Sequence, residues 1–250
     1  MKLLLINPNI SDSVTALIEA EARRAAPAGT ALTALTAPFG VAYIETRFEA
    51  MVGAYAAACV ACDHLADHDA VVIAAFGDPG LAALRELLPV PVVGMTEAAL
   101  ASASLLGARF SIVAISARIT AWYRECVQGY GLASRLASIR SLDQPLRDPG
   151  TIQQDHGARL KELCEAAVHE DGADVVILAG APLAGLARGL AGQLPVPVVD
   201  GVSSAVRHAA SLVALAPGQH RARSFARPPV KPNPGLPPGI ERMLSGPAAG

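Results

Sequence analysis

Several residues of this 250-residue chain that can exchange a proton stand just beyond short apolar runs. Asp78 follows Ala70-Val-Val-Ile-Ala-Ala-Phe76-Gly77, Tyr43 and Glu45 lie beyond Ala31 to Thr36, and Glu97 follows Val92-Val-Gly94. A carboxyl or phenol in such a place can act as general acid or base, and Asp155-His156 is a further titratable pair. Asn7 and Asn9 flank Pro8 after Leu3-Leu-Leu-Ile6, where an amide offers an imide or carboxylate both a donor and an acceptor. Each acid also has a plain structural use. Asp78 before Pro79 can fix a turn, Glu97 suits the first turn of a helix because of the dipole, and Glu45 and His156 can simply be solvated.

The cysteines point elsewhere. Cys59, Cys62, His64 and His68 are spaced somewhat like zinc ligands, yet Met51 to Asp69 reads as one Ala-rich helix that would turn them to different faces. With Cys126 and Cys164 they are read as buried or partly buried free thiols, and no metal is expected. No phosphate loop, dinucleotide fingerprint or His-Glu-x-x-His motif occurs, so no cofactor is expected either.

The elements that must hold these residues repeat along the chain. Leu3 to Ile6, Ala31 to Thr36, Ala70 to Ala75, Val90 to Gly94, Phe110 to Ile115, Val175 to Ala179 and Val196 to Asp200 are apolar runs separated by stretches of helical period. Strands without polar alternation that alternate with helices imply parallel sheets covered on both faces. The unit Ala70 to Gly94 is echoed by Asp174 to Asp200, down to Leu-Pro-Val-Pro-Val-Val in both. The expected fold is therefore α/β, with two similar Rossmann-like α/β/α lobes related by a pseudo-twofold and a ligand cleft between them. Residues 1–95 with about 203–216 would form one lobe and 96–202 the other. Residues 217–250, with eight prolines and the basic Arg221, Arg223, Arg227 and Lys231, form a tail expected to lie over its own surface or a neighbour's.

Composition excludes other classes. Apolar residues make up 52% and charged residues 17%, with a formal net charge of −2, so the chain can bury a core and has little electrostatic footprint for nucleic acid. No apolar run reaches the ~20 residues of a membrane span, and no signal peptide is evident; a cytoplasmic protein with a small-molecule substrate is expected.

Ile6-Asn-Pro-Asn9, Phe76-Gly-Asp-Pro-Gly-Leu81, Gly94-Met-Thr-Glu-Ala-Ala99, Phe110-Ser-Ile-Val113 and Val196-Pro-Val-Val-Asp-Gly201 resemble, in that order, the aspartate/glutamate racemase superfamily, in particular its hydantoin and allantoin racemase branch. The resemblance runs from residue 3 to about residue 215. It implies a cofactor-independent homo-oligomeric enzyme that removes a proton from a carbon next to a carbonyl on one face and returns one on the other. In such sequences two cysteines, one per lobe, do this work. The matching positions here are Ala75 and Gly180, or Ala179 if the register slips by one, and neither can titrate. Three readings follow: a racemase using other groups, a lyase or hydrolase acting on a related substrate, or a non-catalytic binding protein. The catalytic candidates are then Asp78, Glu45 and Tyr43. The substrate-binding candidates are Asn7, Asn9, Ala75, Phe76, Gly77 and Ser116, with Gly180, Ala181 and Pro182, and backbone N–H groups of residues 76–77 and 180–181 are expected to meet a developing oxyanion.

Overall fold

The computed structural model describes residues 1–143, 148–215 and 223–246. The first sheet holds β1 (Lys2–Asn7), β2 (Ala31–Thr36), β3 (Ala70–Ile73) and β4 (Val92–Gly94) in the order β2-β1-β3-β4, all parallel. The second holds β5 (Phe110–Ala114), β6 (Leu136–Ser141), β7 (Val175–Ala179) and β8 (Val198–Asp200) in the corresponding order β6-β5-β7-β8, again parallel. The central strand pairs are set by the same device in both sheets. Asp69 accepts from the Lys2 N–H at 2.7 Å, and Asp174 accepts from the Arg109 N–H at 2.8 Å.

Alternation along the central strands divides the core. Leu3, Leu5, Val72, Ile112 and Ile177 face the interior shared by the two lobes, whereas Leu4, Ile6, Val71 and Ile73 face the outer layer of the first sheet, and Val113, Val176 and Leu178 that of the second. Helix α1 (Asp12–Ala25) borders the shared core, and α2 (Arg47–His64) and α3 (Leu81–Leu87) cover the outer face of the first sheet. The helices that follow the last strand of each sheet, α4 (Met95–Leu106) and α8 (Gly201–Leu215), pack on each other; α4 also lies against β7, and α8 against β3, β4 and α1. Each lobe is thereby closed by a helix that follows the other's sheet. Helix α5 (Thr120–Gly129) packs on β6, while α6 (Ile152–His169) and α7 (Leu186–Leu190) line the outer side of the second sheet.

Four local features differ from the sequence expectation. Helix α2 starts at Arg47 because Thr46 and Glu49 form a capping box, with Glu49 Oε2 accepting from the Thr46 N–H at 2.9 Å, and it stops at His64 ahead of Asp67, whose φ is +64°. The fourth strand of each sheet is shorter than its apolar run, beginning only after Pro91 and Pro197, which have no N–H for the ladder. Strand β6 was not expected: as an edge strand with only partly buried residues, it carries Ser138 and Arg140 and no apolar run. The proline-rich end forms α9 (Pro238–Ser245), whose Ile240 packs on Cys59 and Cys62 of α2; Pro238 stands at the helix start, where a missing N–H costs nothing. Among the described residues no helix is long and apolar enough to cross a membrane.

Candidate active site

Parallel strands leave a crevice beyond their carboxyl ends, and here both sheets open into one. From the first lobe Asn9, Ala75, Phe76 and the pair Tyr43–Ile44 line a narrow cavity of about 30 Å³ that opens to solvent. From the second lobe come Ile115, Ile119, Tyr123 and the turn Gly180-Ala181-Pro182. Ala75 follows β3 and Gly180 follows β7, so the two positions where the resemblance places cysteines meet in one cavity. Gly180 has φ +119°, a conformation that side-chain-bearing residues rarely adopt, although a Cβ there would make only ordinary contacts, 3.6 Å from Ile115 and Pro182.

No Lys, Arg, His, Asp or Glu lines this cavity among the described residues. Its titratable groups are two phenols. Burial, followed by the neighbouring Glu45 carboxylate, raises the pKa of Tyr43. Tyr123, 1% exposed and packed on Phe76 with ring centroids 4.6 Å apart, is raised well above the ordinary tyrosine value, chiefly by burial.

Asn9 is held by a buried network. Asn7 Nδ2 donates to Asn9 Oδ1 at 2.9 Å and to Thr15 Oγ1 at 3.0 Å, and the Ser11 N–H also donates to Asn9 Oδ1 at 2.9 Å. A backbone N–H can only donate, so the Asn9 atom it meets is the amide oxygen, and the amide orientation follows without ambiguity. Asn7 itself does not line the cavity; it positions Asn9.

The other sequence candidates lie apart from the cavity wall. Asp78 ties the β3–α3 loop to the start of α4 and to the second lobe: Oδ1 accepts from the Thr96 N–H at 2.7 Å, and Oδ2 accepts from the Glu97 N–H at 2.8 Å and the Tyr130 hydroxyl at 2.7 Å. Burial pushes its pKa up to about 6 against the pull of those three donors. The Gly77 N–H, expected to face an oxyanion, donates instead to Thr96 Oγ1 at 2.5 Å. Ser116 accepts from the Arg118 N–H at 3.3 Å and caps a 3-10 turn. Glu97 pairs with Arg85, and Asp155 accepts from the Thr151 hydroxyl at 2.7 Å and lines, with His156, a pocket separate from this one. Asp200 echoes Asp78 at the start of α8, accepting from the Gly185 and Ser203 N–H groups at 2.7 and 2.9 Å.

Tyr123, Ile115 and Ile119 were not anticipated as wall residues. Their apolar pattern is that of any core-facing segment, and nothing local marks them.

The family model described as Asp/Glu/Hydantoin racemase matches residues 3–209. A hydantoin racemase of Paenarthrobacter aurescens is 38% identical over 246 residues, covering 92% of this chain and 99% of that protein. Among solved structures, the allantoin racemase from Klebsiella pneumoniae superposes with a TM-score of 0.90 at 35% identity, covering 94% of this chain and 96% of that one. That from Pseudomonas fluorescens superposes at 0.84 and 34%, covering 94% and 100%. The chain belongs to the Asp/Glu/hydantoin racemase family.

Proposed function

We propose that the protein is a racemase acting on a neutral cyclic amide of the hydantoin type, at the carbon next to a ring carbonyl. The observation that carries this reading is the cavity's lack of charged side chains among the described residues. A dicarboxylic amino acid buried there would leave carboxylate and ammonium groups without counter-charges, which is strongly unfavourable. A hydantoin ring presents only carbonyl and N–H groups, and its substituent would lie among Ile44, Phe76, Ile115 and Ile119. Full-length relatives named as racemases favour racemisation over ring cleavage, decarboxylation or binding alone.

In this reading Tyr43 and Glu45 replace one thiol. The C–H electron pair moves into the ring as an enolate while the proton passes to the Tyr43 oxygen, and the Tyr43 hydroxyl proton passes to Glu45. Gly180, on the second lobe, offers no titratable group, so a water beside it delivers a proton to the other face, and the proton held on Glu45 neutralises the resulting hydroxide. Asp78 serves as a positioning residue. No cofactor takes part.

The test is incubation of an L-5-benzylhydantoin with the enzyme in D2O. Deuterium at C5 with decay of optical rotation is expected. A product whose mass differs by more than the single deuterium, or binding without exchange, would overturn the assignment in favour of a lyase or hydrolase, or of a binding protein, respectively.

We further infer a homo-oligomer working in the cytoplasm. Phe48, Met51 and Tyr55 form an exposed stripe on α2, with Phe39 against Tyr55 at 5.9 Å between centroids, and an apolar surface of this kind commonly marks an interface. Met51→Glu should shift the mass measured by light scattering to that of a monomer.

A further inference from the structure

Among the described residues, the buried side-chain polar atoms that are both sealed from solvent and unpaired are Ser104 Oγ and Asn233 Nδ2. Two other polar atoms near the site are unpaired without being sealed. Asn9 is 6% exposed and its oxygen takes two donors, so Nδ2 is the part of the amide without a partner among the described residues. Tyr123 is 1% exposed, and its hydroxyl likewise makes no hydrogen bond among the described residues. Both residues line the cavity.

From this placement we propose that Asn9 Nδ2 and the Tyr123 hydroxyl form a two-donor site, one donor from each lobe, for the carbonyl oxygen that becomes an enolate oxygen. The inference rests on the reading of the protein as a hydantoin-type racemase. It does not depend on which group removes the proton.

The chemistry of the two residues suits that task. An amide N–H and a phenol O–H in an otherwise apolar wall stabilise negative charge far better than they would in water. Burial keeps Tyr123 protonated through the neutral range, so it remains a donor when charge develops next to it. Both are fixed in advance. Asn9 is oriented by Asn7 and the Ser11 N–H, and the Tyr123 ring packs against Phe76 and Trp122, at 4.6 and 5.8 Å between centroids. Because one donor belongs to each lobe, the site is complete only while the lobes stay in register. Tyr130 of the second lobe, donating to Asp78 of the first, helps hold that register.

The experiment compares wild type, Tyr123→Phe and Asn9→Asp for deuterium exchange at C5 of 5-benzylhydantoin and for its Kd by calorimetry. Tyr123→Phe keeps the ring packing and removes only the hydroxyl, whereas Asn9→Asp keeps the shape and puts an acceptor where the donor stood. Each should lower kcat for exchange about 100-fold, in the range for loss of one oxyanion donor, with a smaller change in KM. Unchanged exchange and Kd in both folded variants would overturn the donor pair while leaving the substrate reading intact. A wild-type protein that neither binds nor exchanges the hydantoin would overturn the substrate reading and the donor pair together. Should Asn9→Asp fail to fold, Tyr123→Phe alone decides, since a rate equal to wild type leaves no second donor.

Discussion

The Tyr130 hydroxyl of the second lobe donates to the Asp78 carboxylate of the first at 2.7 Å, across the boundary between the two halves of the molecule. Asp78 also holds the first turn of α4, so a single buried carboxyl links three separate stretches of chain.

This link predicts a pH-dependent cost for its removal. Burial places the Asp78 pKa at about 6, above its value in the unfolded chain, so the folded state holds the proton more tightly and this group's contribution to stability falls as pH rises from about 4 to about 6. The Tyr130 hydroxyl favours the ionised form. Tyr130→Phe should therefore raise the Asp78 pKa further and cost about 1.5–3 kcal/mol at pH 7.5, the usual range for a hydrogen bond to a charged group. At pH 5 the loss should be smaller. Urea unfolding at the two pH values checks this, and an equal loss at both would show that the bond does not sense the Asp78 charge.

Thiol reagents should leave activity intact. Burial pushes Cys62, Cys126 and Cys164 up to about 12 and raises Cys59, so little thiolate is present near neutral pH. Cys126 is the one to watch, three residues along α5 from Tyr123. If iodoacetamide abolishes exchange and 5-benzylhydantoin protects against it, a thiol takes part and the phenol-based reading falls.

Gly77→Ala should disturb the site from outside it. A Cβ at residue 77 would stand 2.2 Å from the Trp122 ring, and the backbone φ is +101°. The indole cannot yield cheaply, so the substitution should cost more than about 2 kcal/mol, counting strain and clash together. The shifted loop carries Ala75 and Phe76, so exchange should fall as well. A Tm within a degree of wild type would contradict the close packing of Trp122 on the loop.

Restoring thiols tests the two vacant positions. Ala75→Cys with Gly180→Cys should increase C5 deuterium exchange, because each new thiol would enter the same cavity from a different lobe. The Gly180 change carries a backbone cost of about 1–3 kcal/mol from its positive φ, with no steric clash to add. A folded double variant that binds 5-benzylhydantoin yet exchanges no faster than wild type would sink the assignment of these positions.

Much of this architecture was legible in the residues alone. Buried parallel strands need apolar side chains on both faces, and such runs are visible without knowledge of their neighbours. The repeat from Ala70 to Gly94 and Asp174 to Asp200 already implied two equivalent lobes, and therefore that Ala75 and Gly180 would occupy matching places. Edge strand β6 was hidden because a strand buried on fewer sides has no such signature, and α9 because its stability comes from Ile240 resting on α2 rather than from its own proline-rich residues.

The polar groups of the site divide the same way. Sequence alone put Asn9, Tyr43 and Asp78 on loops beyond strands, since loop position follows from strand position. It could not tell that Asp78 is bound to partners 18, 19 and 52 residues away, nor that the Asn9 oxygen is taken and its nitrogen is not. It gave no sign that Tyr123 has an unpaired hydroxyl at the cavity. Those outcomes depend on which donors and acceptors meet once distant segments pack. A side chain's chemistry is written in its type, but whether that chemistry remains available is decided only by its neighbours in the folded chain.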